Sequence, residues 1–161
     1  MKYKVYIATH FPNRLMIRLL WPALSHKYNM RTTSMWLTKE DSGTFIESTK
    51  KDFKAILESD FVIAFHPWYK GSLCEISYAL GLNKPIVVLI DKQMFPDLSP
   101  SFEQYSDFFP LGVFTKINDL VGGKKDNSQN LIHLIANDIS EFYCAIDHVI
   151  NYVNSGSNNE K

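Results

Sequence analysis

Two short apolar runs rich in valine and isoleucine lie near the middle of the 161-residue chain, at Phe61 to Phe65 and Ile86 to Ile90. Such runs without polar residues are typical of strands buried on both faces of a parallel sheet. The segment from Ser72 to Leu82 lies between them and is predicted to be the crossover helix of a strand-helix-strand unit. Ligands of open parallel sheets bind beyond the carboxyl ends of the strands, so a site is expected at the loop from His66 to Gly71 and the helical turn after it.

The residues before this unit predict two further strands and two helices. Val5 to Ala8 is apolar and predicts the first strand, and leucines at helical spacing predict a helix from Asn13 to Ser25. Pro22 interrupts that helix, so a kink or an early end is expected. Arg31 to Leu37 predicts the second strand, and a helix capped by Ser48 is expected to continue to Ser59.

The residues after this unit have a looser pattern. Three prolines and several aromatic residues between Lys92 and Pro110 predict a long loop or short helices, and a fifth strand is expected near Gly112 to Lys116. Nine apolar residues at helical spacing predict one long amphipathic helix from Asn127 to Val153. The polar segment from Ser155 to Lys161 is expected to be disordered.

Strands and helices alternate along the chain, and crossovers between parallel strands are right-handed. This pattern predicts a single-domain α/β fold, a doubly wound, Rossmann-like or flavodoxin-like parallel sheet of about five strands with helices on both faces. The predicted domain covers residues 1–154 and is followed by a tail of residues 155–161. The sequence contains no internal repeat and no segment typical of a linker between domains.

Composition and charge narrow the classes of partner and cofactor. Seventeen basic and seventeen acidic residues give a formal net charge of zero, which disfavours double-stranded DNA or an anionic membrane as a partner. Cys74 and Cys144 are seventy residues apart and match no metal-ligand spacing, so we expect neither a structural disulfide nor a zinc site. No leader-like or membrane-spanning apolar run is found, and the sequence predicts a soluble cytoplasmic protein.

Five features follow one another along residues 2–91. They are the strand end KVYIATHF (Lys4 to Phe11), the segment TTSMWL (Thr32 to Leu37), a helix acid before the third strand (Asp52), a helix that opens with Gly-x-x-x-Glu (Gly71, Glu75), and the passage ISYALGLNKPIVVL (Ile76 to Leu89). In this order they resemble the nucleoside 2-deoxyribosyltransferase superfamily, which includes 2′-deoxynucleoside 5′-phosphate N-hydrolases. The resemblance implies cleavage or exchange of the N-glycosidic bond of a 2′-deoxynucleoside or its 5′-monophosphate, without metal or organic cofactor.

Glu75 is the candidate nucleophile. Breaking an N-glycosidic bond builds positive charge on the sugar, which an ionised carboxylate can attack or stabilise. The residue is expected in the first turn of its helix, where the dipole favours the charged form. In a competing interpretation, Ser72 and Glu75 form an S-x-x-E capping box, and Glu75 only bonds the backbone of Ser72. The family resemblance favours catalysis.

Two acids precede the third strand, and their positions separate them. Asp60 lies at the turn between helix and strand, at the end of the sheet remote from the expected site, and is assigned to turn chemistry. Asp52 lies eight residues earlier, about 12 Å along the helix towards the carboxyl ends of the strands. Asp52 is therefore the candidate for holding a sugar hydroxyl or moving a proton to the base, and it matches the helix acid of the family. Its structural alternative is a solvated helical acid.

Polar and aromatic residues near the ends of the predicted strands are candidates for binding substrate. They are Tyr6, Thr9, His10, Trp36, His66, Trp68, Tyr69, Gly71 and Ser72. The rings of Trp68 and Tyr69 are expected to stack on a base, and the backbone donors at Gly71 and Ser72 suit an anion. His10 is a candidate proton donor near neutral pH. Packing is the alternative for most of these residues.

Two classes of function stay open. The first is an enzyme with a glycosyl-Glu75 intermediate, either a hydrolase or a transferase, including an N-glycohydrolase of another N-riboside such as a nicotinamide dinucleotide. The second is a non-catalytic nucleotide-binding or interaction module, because a fold does not establish a function. The long predicted helix and the resemblance to relatives that complete their sites across subunit contacts predict a homodimer or a higher homo-oligomer.

Overall fold

The computed structural model describes residues 3–10, 13–38, 45–66, 68, 70–90, 114–122 and 131–156. Its strands are β1 (Tyr3–Thr9), β2 (Met30–Thr32), β3 (Phe61–Phe65), β4 (Ile86–Leu89), β5 (Thr115–Lys116) and β6 (His133–Ala136). Its helices are α1 (Arg14–Tyr28), α2 (Met35–Thr38), α3 (Phe45–Leu57), α4 (Lys70–Gly81), α5 (Ile117–Val121) and α6 (Ile139–Gly156). None of these helices is both long and apolar enough to span a bilayer.

The strands of the described ranges form one parallel sheet in the order β2-β1-β3-β4-β6-β5. The chain passes from β1 to β2 on one side and then crosses back over β1 to reach β3 on the other. The direction of winding therefore reverses between β1 and β3. Ligands of doubly wound sheets bind beyond the carboxyl ends of the strands at this reversal, so the fold places the expected site beyond β1 and β3.

Alternation along the strands divides the core between the two faces of the sheet. In β1, Val5 and Ile7 point to the face covered by α1 and α6, whereas Tyr6 and Ala8 point to the face covered by α3 and α4. All four residues are fully buried. The predicted doubly wound fold is confirmed, although the sheet has six strands where about five were expected.

Near the carboxyl end of β1, a serine side chain makes the hydrogen bonds that a neighbouring strand would otherwise make. The Ser34 hydroxyl accepts a 2.7 Å hydrogen bond from the backbone N–H of Ile7 and donates a 3.2 Å bond to the carbonyl of the same residue. Because β2 ends at Thr32, these bonds satisfy backbone groups of β1 that would otherwise be buried without partners. The predicted strand from Arg31 to Leu37 is therefore too long, and Trp36 lies in α2.

The predicted helix from Asn127 to Val153 is wrong in its first part. Residues His133–Ala136 form β6, which pairs with β4 and β5, and α6 begins only at Ile139. The junction is capped by Asp138, whose carboxylate accepts a 2.8 Å bond from the N–H of Glu141. The Glu141 carboxylate in turn accepts a 2.7 Å bond from the N–H of Asn137. This reciprocal arrangement is typical of a helix N-terminus and separates strand from helix.

Helix α6 is 18 residues long, so the length argument for a dimer built on a longer helix no longer applies. The helix also includes Ser155 and Gly156, which were expected in the disordered tail; residues 157–161 lie outside the described residues. The loop predicted at residues 92–110 also lies outside them.

Three other predicted boundaries differ from the structure. Helix α1 continues through Pro22 to Tyr28 and ends at Asn29, whose φ of 51° is left-handed as expected of a helix C-terminus. Helix α3 begins at Phe45 rather than after Ser48, and α4 begins at Lys70 rather than at Ser72. The last shift changes the position of Glu75 within its helix.

Candidate active site

Tyr6 is the centre of a cluster of ionisable groups on the α3–α4 face of the sheet. Its side chain is fully buried, and its hydroxyl interacts with the carboxyl groups of Asp52 in α3 and Glu75 in α4. Neither contact reaches ideal hydrogen-bond geometry. Burial and the two nearby carboxylates raise the pKa of Tyr6 well above its ordinary value, so the hydroxyl stays protonated and is available as a donor.

Both carboxyl groups lie on the sides of their helices that face the sheet, as the spacing of buried residues in each helix shows. In α3, Asp52 lies three and four residues before the buried Ala55 and Ile56, and in α4, Glu75 lies four residues before the buried Ala79. Residues at these spacings share one face of a helix. The two acids therefore lie on the sheet-facing sides of neighbouring helices, one turn before the residues that pack on the strands.

An aromatic contact fixes the distance between these two helices. The rings of Phe53 in α3 and Tyr78 in α4 stack with their centroids 4.5 Å apart. Phe53 directly follows Asp52 in the sequence, and Tyr78 lies three residues after Glu75. The pairing of Asp52 with Glu75 is thus held by packing of the helices that carry them.

Glu75 lies in the second turn of α4, since the helix begins at Lys70 and its first turn contains no acid. Ser72 is inside the helix and 4% exposed, so it is not the N-cap that a capping box requires. The expectation that the helix dipole keeps Glu75 charged is also wrong. Burial, followed by the negative charge of Asp52, raises the pKa of Glu75 to about 8, while Tyr6 and Arg14 act in the opposite direction.

Arg14 belongs to this cluster and was not among the predicted site residues. It is the first residue of α1, directly beyond the carboxyl end of β1. Its guanidinium lies 5.1 Å from the ring centroid of Trp36 and interacts electrostatically with Asp52 and Glu75. Burial lowers the pKa of Arg14 and the two carboxylates raise it. A sequence signal was present, since a cation in the first turn of a helix opposes the helix dipole.

His66 and Trp68 lie at the carboxyl end of β3, as predicted. The His66 ring is 5% exposed and makes an edge contact with Trp68, with centroids 5.0 Å apart. Burial lowers the pKa of His66 to about 4, so the imidazole is neutral at pH 7. Tyr69 lies outside the described residues.

The other predicted binding residues divide into structural and open positions. The Thr9 hydroxyl donates a 3.4 Å bond to the Phe65 carbonyl and accepts a 3.3 Å bond from the Asn13 amide, so it joins β1 to β3 and α1. Trp36 is 6% exposed and belongs to the core under α1. Gly71 is exposed, and a Cβ added there would meet no heavy atom within 4 Å. The backbone carbonyl of His10 accepts a 3.0 Å bond from the N–H of Asn13.

Asp60 lies at the opposite end of the sheet, as predicted. Its carboxylate accepts a 2.7 Å hydrogen bond from the backbone N–H of Lys4, and its own N–H donates to the Lys4 carbonyl. This exposed residue joins the start of β1 to the turn before β3. Both cysteines are exposed and unbridged, and no group of three metal-ligating side chains occurs in the described part of the chain.

The arrangement suits acid–base and nucleophilic chemistry at one carbon centre. Two carboxyl groups whose negative charges oppose each other share a proton, so one serves as acid while the other is ionised. The Tyr6 hydroxyl interacts with both of them, and Arg14 supplies a nearby positive charge. A pair of carboxyl groups in these two protonation states is what glycoside cleavage requires.

The fold is shared with solved structures at low sequence identity. The structure of the Clostridium botulinum CMP N-glycosidase BcmB aligns with a TM-score of 0.50 and 19% identity, over 89% of this chain and 98% of that chain. The solution structure of BlsM aligns with a TM-score of 0.56 and 19% identity over 94% of each chain. A conserved protein from Enterococcus faecalis V583 aligns with a TM-score of 0.57 and 13% identity, over 94% of this chain and 99% of that chain.

These alignments confirm the α/β fold over almost the whole chain. No protein-family model matches the chain, and no curated protein matches it at a significant level. The resemblance to nucleoside 2-deoxyribosyltransferases therefore stays a prediction.

Proposed function

We propose that the protein cleaves the N-glycosidic bond of a nucleoside or a nucleoside 5′-monophosphate, with 2′-deoxynucleosides as the favoured class. The observation that carries this proposal is the pairing of Glu75 with Asp52 around the buried Tyr6 hydroxyl, on the strand that ends at the reversal of the sheet. Paired carboxyl groups with different protonation states are the catalytic groups of enzymes that break glycosidic bonds.

The reaction begins with one proton shared by the carboxyl pair. Because the pKa of Glu75 is about 8, that proton lies mainly on Glu75 in the free protein at pH 7. When substrate binds, Glu75 transfers this proton to Asp52 and becomes ionised. Asp52 then passes the proton to a nitrogen of the leaving base, and the Glu75 carboxylate attacks the anomeric carbon. The electrons of the C–N bond leave with the protonated base, and a glycosyl ester forms on Glu75.

Water completes the reaction. It attacks the anomeric carbon of the ester, its proton returns to the carboxyl pair, and the sugar leaves with a new hydroxyl group. If a second base attacks instead, the same intermediate gives base exchange, so hydrolase and transferase differ only in the acceptor. The Tyr6 hydroxyl orients Glu75 and its partner during both steps, since it interacts with both carboxyl groups.

Two further observations support this function. A structural neighbour of the chain is the Clostridium botulinum CMP N-glycosidase BcmB, and the sequence features around Gly71 and Glu75 resemble deoxyribosyltransferases. The neutral His66 and the ring of Trp68 at the end of β3 are suited to contact an uncharged base. A homodimer is part of the proposal by resemblance alone, and sedimentation at micromolar concentration tests it.

The test is incubation with a panel of deoxyribonucleosides, ribonucleosides, their 5′-monophosphates and a nicotinamide dinucleotide, followed by chromatography for released base. We expect release from at least one deoxynucleoside or its monophosphate. Adding a second free base to the same reaction separates exchange from hydrolysis. If no panel member loses its base while one of them raises the melting temperature, a nucleotide-binding module replaces the proposed enzyme.

A further inference from the structure

Two arginines at the start of α1, Arg14 and Arg18, contact Trp36. The Arg14 guanidinium lies 5.1 Å from the centroid of the Trp36 ring. One helical turn later, Arg18 donates a 2.8 Å hydrogen bond to the backbone carbonyl of Trp36. Trp36 is itself 6% exposed and packed in the core. Packing thus fixes the ring that contacts Arg14, and the hydrogen bond from Arg18 holds the backbone of Trp36 against the same helix.

The placement of Arg14 is unfavourable for the helix that carries it. A cation at a helix N-terminus opposes the macrodipole. Contact with the indole ring of Trp36 and attraction to the carboxyl pair offset this cost. Among the described residues, Arg14 is a group of opposite charge that acts on both Glu75 and Asp52.

We infer that Arg14, held on the Trp36 ring, is the dedicated counter-ion of the Asp52–Glu75 pair and a positioning residue for it, and that it does not bind a substrate phosphate. The inference rests on the proposed function and concerns the regulation of the same site. With one proton on the pair, a neutral Tyr6 and a charged Arg14, the net charge of these four groups is zero. A guanidinium already neutralised in this way offers little to a second anion.

Within the described part of the chain, the groups that face Glu75 come from three elements. They are Tyr6 on β1, Asp52 on α3 and Arg14 on α1. Asp52 favours a proton on Glu75, whereas the positive charge of Arg14 and the Tyr6 hydroxyl favour the ionised carboxylate. Removing Arg14 therefore makes the pair hold its proton to a higher pH.

The first test needs no turnover. Titration of the Glu75 carboxyl carbon by ¹³C NMR is expected to give a midpoint near 8 in the unmodified protein, because burial and the charge of Asp52 raise the pKa of Glu75 to about 8. In Arg14→Gln the midpoint is expected to rise by about 1 pH unit, and Arg14→Lys is expected to restore part of the difference. An unchanged midpoint in Arg14→Gln overturns the inference.

Two variants make this titration specific. Lys54→Gln removes the same charge from α3, at an exposed residue that pairs with Glu58, and is expected to leave the midpoint unchanged. Trp36→Leu keeps Arg14 but removes its support, and is expected to shift the midpoint in the same direction as Arg14→Gln. If Arg14→Gln does not fold, the ranking of Arg14→Lys and Trp36→Leu against Lys54→Gln decides, and equal midpoints in all three contradict the inference.

The second test compares two substrates on the active protein. Arg14→Gln is expected to lower kcat/KM for a deoxynucleoside and for its 5′-monophosphate by the same factor, within about twofold, and to move the alkaline limb of the rate profile to higher pH. If Arg14 instead binds the phosphate, KM rises about tenfold or more for the monophosphate alone. That outcome overturns the inference, while an inactive protein whose titration behaves as expected overturns only the proposed function.

Discussion

The two ends of the sheet differ in how their polar and charged groups are paired. At the amino end, Lys84 donates bonds of 2.9 and 2.5 Å to the carbonyls of Leu57 and Ser59, which close the end of α3. The His133 ring nitrogen lies 3.0 Å from the Lys84 carbonyl, and Asp60 accepts the N–H of Lys4. Each of these polar groups has a partner in good geometry.

Towards the carboxyl end, the polar groups oppose one another. Asp52 and Glu75 face each other across the Tyr6 hydroxyl, and burial raises the pKa of Glu75 to about 8. Burial lowers the pKa of His66 to about 4. These arrangements cost stability, whereas those at the amino end contribute to it. Burial also lowers the pKa of Lys84 and of His133 at the amino end, but both groups are hydrogen-bonded there. Buried carboxyl groups that oppose each other are typical of functional sites, and this contrast favours the carboxyl end as the site of chemistry.

The largest expected effect is on the rate. Glu75→Gln removes the nucleophile but keeps the size of the side chain, so base release is expected to fall at least about a hundredfold. Chromatography on the best substrate of the panel measures it. Full turnover in this variant would end the assignment of Glu75 as nucleophile.

The same substitution is expected to stabilise the fold. The pKa of Glu75 is about 8 when folded and near 4.5 when unfolded, so the folded protein binds the proton more tightly. The resulting stability is present below about pH 4.5 and is lost as pH rises towards 8.

Glu75→Gln does not ionise and avoids that loss. In urea unfolding, the free energy of unfolding of the variant is expected to exceed that of the unmodified protein by about 2 kcal/mol at pH 8, and by less at pH 5. A constant difference, or a less stable variant at pH 8, contradicts the buried-carboxyl account. The loss of about 1 kcal/mol that a capping role predicts is the competing result.

Asp52→Asn separates the two acids of the α3 region. The amide binds a hydroxyl but carries no proton to the base, so turnover is expected to fall about tenfold with a smaller change in ligand affinity. Asp60→Asn is the matched control at the amino end and is expected to change stability more than rate. If Asp60→Asn lowers the rate more than Asp52→Asn does, the site lies at the amino end of the sheet and the assignment is wrong.

Lys84→Met tests the amino end itself. Its loss leaves the carbonyls of Leu57 and Ser59 without a charged donor, and about 1 kcal/mol of unfolding free energy is expected to disappear. Base release under folded conditions is expected to stay unchanged, because Lys84 is remote from Glu75 in the sheet. A fall in rate without a fall in stability would contradict the division of roles between the two ends.

The sequence was sufficient for the two central strands β3 and β4 and insufficient for β6, which pairs with β4 and β5. β3 and β4 are short continuous apolar runs that indicate buried strands, and the bounds of both were predicted to within one residue. β6 was missed because Leu131, Leu134 and Ile135 also fit the helical spacing of the residues after them. The Asp138-x-x-Glu141 cap was the available signal that a new helix starts there.

The candidate site was predictable where it depends on one element and not where it depends on several. Asp52 followed from the rise along a single helix, and the structure brings it to Glu75. Arg14 was not found, because its role depends on contacts with Trp36 and with acids on two other helices. The position of Glu75 in the second turn depended on a helix start that the polar loop before it obscured.

The most direct test of the central claim is capture of the intermediate. The protein is quenched with acid during turnover of its best substrate, digested with a protease, and the peptides are weighed by mass spectrometry. The account predicts a peptide containing Glu75 that carries the added mass of one sugar, and no such peptide from Glu75→Gln. Base release with no sugar on any peptide, or with the sugar on another residue, would contradict it.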